Sequence, residues 1–161
     1  MPTLLYPYYF YSMKYFFSFA LLGILFMACQ RVDMYEHFTS FKDHSWKSSE
    51  KPSFSFDITD SVPLYNFSLV LRNEDAYSYK NIWLDILIKA PDTSFTIRKE
   101  FTLADNKKWF GVAMDDIIEH RIPFNQTHLR KGKYDFTLTQ VMREDPLPHI
   151  LAAGIRVQKI H

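Results

Sequence analysis

The amino-acid sequence predicts an all-β protein, an antiparallel β-sandwich of about seven or eight strands that is either immunoglobulin-like or jelly-roll-like. Two observations support this class. After Pro52, apolar and polar residues alternate with a period of two over most of the chain. Turn residues interrupt the alternation at intervals of roughly 8–12 residues, and no amphipathic helical pattern separates the runs.

Each predicted strand follows from its own pattern. Residues 54–58 and 65–72 alternate apolar with polar side chains, so each run has one face for a core. Residues 81–89 are apolar on both faces, because Trp83 and Leu87 lie opposite the isoleucines, and this predicts a central strand. Further strands are predicted over 94–103, 117–124, 133–142 and 152–160.

Turn residues separate these strands, and one turn has a more specific pattern. Leu129, Gly132 and Tyr134 have the spacing of a tyrosine corner, in which the tyrosine hydroxyl bonds back to upstream backbone. We therefore predict a structural role for Gly132 and Tyr134. The other turn signals are Pro63, Asn73, Pro91-Asp92 and Asp105-Asn106.

The N-terminal segment predicts export and lipidation. A lone lysine, Lys14, precedes an apolar run that ends at Cys29, the single cysteine of the chain. The run is shorter than the roughly 20 residues that a spanning helix needs, and it fits a lipoprotein signal with Cys29 as the lipidated residue. Phe26 stands where most such signals have leucine. The alternative is a buried free cysteine in a short hydrophobic helix.

These features predict the domain organisation. Residues 1–28 are expected to be the signal peptide, with Met13 as an alternative start of translation, and 29–52 the lipidated N-terminus and a polar tether. Residues 53–161 are expected to form the sandwich. Apolar residues at helix-like spacing within the tether predict that part of it docks on the domain; they are Met34, Phe38 and Phe41.

Composition excludes several classes of function. The chain carries 19 Lys+Arg and 18 Asp+Glu, a balance that argues against a nucleic-acid partner. The six histidines are scattered without the spacing of a metal site, so we expect no metal and no cofactor. Asp115 and Asp116 are adjacent and fit a solvated turn better than acid–base chemistry. We expect no enzyme.

Aromatic residues leave a binding function open. Tyr77, Tyr79, Trp83 and Trp109 could line a platform that stacks on sugar rings, although core packing is the simpler interpretation for Trp83. A glycan-binding module of the cell envelope is therefore the alternative function.

A series of spaced residues extends from Leu71 to Arg156. It consists of Leu71-Arg72-Asn73, Tyr77-x-Tyr79-x-Asn81-Ile82-Trp83-Leu84, Trp109-x-Gly111, Gly132-x-Tyr134-x-Phe136-x-Leu138-x-Gln140-x-Met142-Arg143 and Gly154-x-Arg156. This series resembles the gliding-motility lipoprotein GldH family of Bacteroidetes. The resemblance implies a small, membrane-anchored, non-enzymatic lipoprotein associated with surface gliding and the type IX secretion apparatus.

The resemblance and the composition together predict an accessory or scaffold subunit that contacts envelope proteins. Arginine and tyrosine are enriched at interface hot spots, so we predict partner contacts by Arg72, Tyr77, Tyr79, Gln140 and Arg143. No acidic cluster follows Cys29, which favours a periplasm-facing domain over a surface-exposed one. Separately, Asp60-Ser61-Val62 resembles the three-residue O-glycosylation signal of Bacteroidetes.

Overall fold

The computed structural model of the protein describes residues 34–160, and β-strands account for most of them. One short 3-10 helix, Lys42–His44, is the only helix in this range. Over the same residues, no helix has the length and apolar character needed to cross a membrane. The strands are β1 Met34–Ser40, β2 Ser45–Trp46, β3 Ser53–Ile58, β4 Leu64–Glu74, β5 Asn81–Ala90, β6 Thr93–Thr102, β7 Val112–Met114, β8 Ile117–His128, β9 Gly132–Gln140, β10 Leu147–Pro148 and β11 Ile150–Ile160.

The long strands form two antiparallel sheets, which confirms the predicted sandwich. One sheet has the order β1-β11-β4-β8-β7 and the other β3-β9-β5-β6, while β2 and β10 pair with each other. Without the short strands β2, β7 and β10, eight strands remain, and they pair in a nested way. The first pairs with the last, the second with the seventh, the third with the sixth and the fourth with the fifth. This nesting is the jelly-roll arrangement.

A single apolar core lies between the sheets, and aromatic rings join its two halves. Phe67 of the five-stranded sheet stacks on Phe136 of the four-stranded sheet, with ring centroids 5.3 Å apart. Phe56 also stacks on Phe136, with ring centroids 5.6 Å apart. Strand β3 shows the predicted alternation, because Phe54, Phe56 and Ile58 are buried and the residues between them are exposed.

Strand β5 is an interior strand of its sheet, as predicted, but Trp83 does not pack in the core. The strand lies between β9 and β6. Ile82 and Ile86 are fully buried, whereas Trp83 faces outward and is 38% exposed. The outer face of this sheet is therefore solvated, and the apolar pattern on both faces of 81–89 overstated the burial of Trp83.

Residues 34–52, predicted as part of a tether, belong to the sandwich. Strand β1 pairs along its whole length with β11, and Phe38 lies opposite Gly154. After β1, Phe41 stacks on Trp46, whose side chain is fully buried. The segment forms a strand instead of the helix-like docking that its apolar spacing indicated. The predicted signal peptide, Cys29 and residues 30–33 lie outside the described residues.

The jelly roll has two ends, which carry different loops. We call the two ends proximal and distal. The proximal end holds the start of β1 at Met34, the loop 59–63, the hairpin turn 91–92 and the loop 129–131. The distal end holds the connections 41–52, 75–80, 103–111 and 141–149. The distal connections are longer, and so this end offers more side chains for recognition.

The turn into β9 is at the proximal end. The Tyr134 hydroxyl donates a hydrogen bond of 3.2 Å to the carbonyl oxygen of Arg130, four residues upstream. Gly132 has a φ of +136°, and a Cβ there would lie 2.5 Å from Cγ of Pro91. Glycine is required at this position by both the backbone conformation and the space available.

Candidate functional site

The distal end gathers four of the five residues predicted to contact a partner. Tyr77 and Tyr79 lie in the connection 75–80. Gln140 ends β9, and Arg143 follows in the connection 141–149. Backbone hydrogen bonds hold these segments to the sheets, including Tyr77 N to Glu74 O at 3.0 Å and Val141 N to Trp83 O at 3.0 Å. The fifth residue, Arg72, lies near the same end on the outer face of the five-stranded sheet.

Tyr77 is part of the fold. Its side chain is only 4% exposed, and its hydroxyl donates a 3.1 Å hydrogen bond to the carbonyl oxygen of Asn81. Its ring meets Tyr79 edge-on at 5.6 Å and lies 6.4 Å from Trp109. Burial raises the pKa of the Tyr77 hydroxyl well above its ordinary value. Tyr77 therefore offers almost no surface to a partner and instead supports Tyr79.

Tyr79 is half-buried and links two distal connections. Its hydroxyl donates to a carboxylate oxygen of Glu144 at 3.0 Å, and this acceptor raises the pKa of the hydroxyl. Glu144 is exposed, and its neighbour Arg143 is exposed as well. The Tyr79–Glu144 pair thus holds the chain directly after Arg143.

Gln140 is buried, with 1% of its surface exposed. Its amide nitrogen donates weakly, at 3.4 Å, to the carbonyl oxygen of Glu144, and its amide oxygen accepts a 2.9 Å hydrogen bond from the backbone nitrogen of Met142. Both contacts are within the turn that carries Arg143. Gln140 therefore shapes this turn and has no free polar atom for a partner.

Arg143 is the most available of the predicted residues. It is exposed, and its guanidinium forms no hydrogen bond or ion pair with another side chain of residues 34–160. Gln140 and Tyr79 hold the backbone around it. The result is an unpaired cation on a fixed turn, which is a suitable arrangement for a charge-assisted contact with an acidic group.

Arg72 lies in a separate network on the outer face of the five-stranded sheet. Its Nε donates to Oε2 of Glu119 at 2.7 Å, and its Cζ lies 4.3 Å from the ring centroid of Phe38. Arg121 also pairs with Glu119, and it reaches Glu36 on β1. Phe38 lies opposite Gly154 in this network, and the missing side chain of Gly154 leaves room for it.

The distal end also contains a cluster that the sequence did not predict. The Nδ1 atoms of His44 and His149 each contact a different carboxylate oxygen of Glu74, the latter at 2.5 Å. Both histidines lower the pKa of Glu74, His149 more strongly. Asp43, His44 and His149 have positive φ values of 55°, 49° and 62°. These residues border a shallow cavity of about 400 Å³. Such a cluster has no signal in sequence, because its members are separated by 30 and 75 residues.

The cluster does not form a metal centre in the described chain. Within residues 34–160, no group of three or more His, Cys, Asp or Glu side chains is placed to hold a metal ion. The imidazoles instead bond to the carboxylate. The cluster ties the 3-10 helix and the start of β11 to the end of β4, and so it organises the distal connections.

The aromatic residues considered for sugar stacking do not form an open platform. Tyr77 is buried, and Trp109 is half-buried with its Nε1 donating to Asp75 at 2.6 Å. Trp83 lies apart from them on the outer face of the four-stranded sheet, where Met142 Sδ contacts its backbone nitrogen at 3.3 Å. A row of exposed ring faces is therefore absent from this part of the described chain.

Comparison with known proteins identifies the family. The chain matches the family described as GldH lipoprotein over residues 33–157, which is more than half of its length. The chain belongs to the GldH lipoprotein family. The match begins one residue before the described structure and includes almost all of the jelly roll.

Two relatives of known organism extend the comparison. The "Gliding motility lipoprotein GldH homolog" of Christiangramia forsetii is 28% identical over 155 residues, which cover 89% of this chain and 94% of the relative. The "Gliding motility lipoprotein GldH" of Flavobacterium johnsoniae is 24% identical over 148 residues, covering 86% and 92%. Both similarities therefore extend over nearly the whole length of a GldH protein.

One similarity to a solved structure is weak. The infectious bursal disease virus VP2 subviral particle superposes with a TM-score of 0.35 and 10% identity, over 80% of this chain. The chain spans about a third of that protein, 32% of its length. A similarity of this size supports no conclusion about function.

Within this GldH chain, the residues of the spaced series concentrate toward the distal end. Asn73, Tyr77, Tyr79, Trp109 and Gln140 all lie there, and their side chains form hydrogen bonds or ring contacts within the distal connections. The series therefore marks mostly residues that build the distal end, and fewer that are free to contact another molecule.

Proposed function

We propose that this GldH-family chain is a non-catalytic lipoprotein, anchored through lipid on Cys29, that acts as an accessory or scaffold subunit of the gliding-motility and type IX secretion machinery. Two relatives named as gliding motility lipoproteins are similar to this chain over nearly their full length. The domain contacts a neighbouring envelope protein with its distal end and faces the periplasm. It needs no metal or cofactor for this role.

The observation that carries the proposal is the opposite placement of two features. Met34, five residues after Cys29, lies at the proximal end. Five residues span at most about 18 Å, so a lipid on Cys29 keeps the proximal end close to the bilayer. The exposed side chain of Arg143 lies at the distal end. The jelly roll therefore acts as a spacer that holds its recognition surface away from the membrane.

The proposed contact surface consists of Arg143, Tyr79 and Glu144, with Arg72 at its edge. Arg143 supplies an unpaired cation on a turn that needs no ordering, which lowers the entropic cost of binding. Arginine and tyrosine are the residue types that most often form interface hot spots. Tyr77 and Gln140 contribute indirectly, because they are buried and hold this turn in place.

Crosslinking in native membranes tests this proposal. The full-length chain with a C-terminal tag would carry a photoreactive amino acid at position 143, and a matched chain would carry it at position 131, in the exposed proximal loop. We expect adducts with gliding or type IX secretion proteins from position 143 and not from position 131. A Cys29→Ala variant should leave the membrane fraction and lose these adducts.

Other results would contradict the proposal. Equal adducts from both positions would remove the distal end as the contact surface. Membrane retention of Cys29→Ala would contradict lipid anchoring at that residue. Adducts with glycan-uptake proteins, together with saccharide binding by the purified protein, would favour the glycan-binding alternative.

A further inference from the structure

The loop 59–63 between β3 and β4 contains the sequence Asp60-Ser61-Val62, which the proposed function does not use. The loop lies at the proximal end, on the path from the four-stranded sheet to the five-stranded sheet. Ser61 is exposed, and Val62 is 82% exposed, more than any other large apolar side chain of the described residues. An apolar residue this exposed has no packing role in the folded domain.

The loop is exposed but structurally fixed. The Asp60 carboxylate accepts a 3.1 Å hydrogen bond from the backbone nitrogen of Val62 and pairs with Lys159 Nζ at 3.2 Å. The carbonyl oxygen of Asp60 accepts a 2.6 Å hydrogen bond from the hydroxyl of Tyr65. The bond from Val62 forms an Asx turn with Ser61 at its apex, and the other two hold this turn to β11 and β4.

The Ser61 hydroxyl is available at this apex. It forms no hydrogen bond with another residue in the part of the chain that the structure describes. An enzyme that modifies a folded acceptor needs a hydroxyl that protrudes from a defined backbone conformation, flanked by side chains that it can read. Asp60 and Val62 supply such flanks, one charged and one apolar.

We propose that Ser61 is an acceptor for an O-linked glycan, added by an envelope glycosyltransferase that recognises Asp60 and Val62. The Ser61 Oγ attacks the anomeric carbon of a phosphate-activated glycosyl donor. A carbon–oxygen glycosidic bond forms, the bond between the anomeric carbon and the phosphate oxygen breaks, and the phosphate group leaves with the bonding electrons. The hydroxyl proton passes to a base of the transferase. No oxidant or reductant is involved.

The location of Ser61 agrees with the proposed function, on which this inference rests for export of the chain. Ser61 lies at the proximal end, and a glycan there leaves the distal contact surface uncovered. Modification and partner binding can therefore occur on the same molecule, and each can fail without the other.

The chain supplies an internal control for the modification. Asp92-Thr93-Ser94 places an acidic residue and a hydroxyl side by side in the proximal hairpin, but its third residue is polar. Asp92 pairs with the guanidinium of Arg130 as Asp60 pairs with Lys159, so the two sites differ chiefly in the third residue. We expect Thr93 to remain unmodified although it is exposed.

Mass spectrometry of the full-length tagged chain, expressed in its native host, tests the proposal. The tryptic peptide 48–72 contains Ser61, and peptide 90–98 contains Thr93. We expect a glycan mass on the first peptide, localised to Ser61 by electron-transfer fragmentation, and none on the second. Ser61→Ala should abolish the mass. Asp60→Asn keeps an oxygen for the Asx turn but removes the charge, and it should also abolish the modification, whereas Thr93→Ala should not change it.

The peptide is analysed in whichever cell fraction contains the chain, so the test of Ser61 does not depend on where the chain is localised. An unmodified Ser61 there, or a glycan that persists in Ser61→Ala, would overturn the inference. Crosslinking from position 143 of the otherwise natural chain separates the two proposals. Adducts together with an unmodified Ser61 would overturn only this inference, and absent adducts together with a glycan on Ser61 would contradict only the scaffold proposal.

Discussion

The Nε2 atom of His120 lies 2.9 Å from Oδ1 of Asn73, with both side chains buried at the distal end of the core. The Asn73 amide nitrogen donates to the carbonyl oxygen of Glu74 at 2.8 Å, so Oδ1 is the acceptor and His120 Nε2 carries the proton. Burial lowers the pKa of His120 to about 4. The imidazole is therefore neutral in the folded protein at neutral pH.

We predict that His120 makes the fold sensitive to acid. Its pKa in the folded state, about 4, is below the value of about 6.5 for an unfolded chain, so the folded state binds fewer protons between these values. The contribution to stability is complete above pH of about 6.5 and is lost as the pH falls to about 4. The loss should reach about 3 kcal/mol in the free energy of unfolding, measured by urea denaturation.

A His120→Gln variant isolates this effect, because glutamine can donate to Asn73 without titrating. Its unfolding free energy should fall less steeply with acid than that of the natural chain. Carboxylates with lowered pKa values, such as Glu36 and Asp135, add their own acid dependence to both proteins, so the difference reports His120. His128→Gln, an exposed histidine change on the same strand, serves as the matched control. Equal slopes for all three proteins would contradict the prediction.

We predict that Tyr77 and Arg143 separate stability from partner binding. Tyr77→Ala removes a buried ring and should lower the free energy of unfolding by about 3–5 kcal/mol. Arg143→Ala removes an exposed, unpaired side chain and should change it by less than about 0.5 kcal/mol while abolishing recovery of the partner. Thermal denaturation and pull-down from native membranes measure the two effects. A large stability loss in Arg143→Ala would assign that residue to the fold.

We predict that Gly154 cannot accept a side chain. A Cβ there would lie 2.2 Å from the carbonyl oxygen of His37 and 2.5 Å from Cβ of Phe38. The clash involves backbone, so no rotamer change relieves it, and β1 must move away from β11. Gly154→Ala should cost about 1–3 kcal/mol or more and speed amide exchange over 34–40. Gln158→Ala, an exposed change on the same strand, is the control and should have little effect. Unchanged exchange in β1 would show that the strands can adjust.

We predict that Glu36 stabilises the association of strand β1 with the five-stranded sheet. Its carboxylate accepts hydrogen bonds from Arg156 at 2.9 Å and Arg121 at 3.1 Å, and these contacts, Arg121 foremost, lower its pKa. Glu36→Gln keeps the shape and removes the charge, so unfolding free energy should fall by about 1–2 kcal/mol at neutral pH. The loss should shrink in acid, because the natural carboxylate then loses its charge as the pH falls through its lowered pKa.

The matched control for this change is on the other sheet. Asp85 pairs with Arg98 at 2.7 Å, but Arg98 is 63% exposed at its side chain. Solvent weakens such a pair, so Asp85→Asn should cost less than Glu36→Gln. A larger cost for Asp85→Asn in chemical denaturation would contradict the role given to Glu36.

The seven strands predicted after Pro52 all exist, and most boundaries differ from the structure by only a few residues. Period-two alternation sufficed for these strands because each has one face against the core, as Phe54, Phe56 and Ile58 illustrate. Strand β1 was missed. It is an edge strand whose inward residues include His37 and Thr39, so its sequence lacks clean alternation, and its partner β11 is more than 100 residues away.

The candidate site was predicted only in part. The sequence indicated Arg72, Tyr79 and Arg143, whose side chains retain exposed surface, but it could not distinguish them from Tyr77 and Gln140, which are buried. Tyrosine and glutamine occur both inside and outside proteins, and burial depends on the neighbours that other strands bring. For the same reason the His44–Glu74–His149 cluster had no signal before the strands were assembled.

The sequence by itself determined the all-β class, the order of the seven long strands after Pro52 and, through the spaced residues, the family. These properties follow from short-range patterns, because side-chain alternation and turn chemistry act between residues close in the chain. Tertiary structure alone decided the nested jelly-roll pairing, the inclusion of 34–52 in the sandwich and the opposite positions of Met34 and Arg143. These three features depend on contacts between strands that are far apart in the sequence. Such contacts stabilise the fold only when the two sheets pack together and bury a common core.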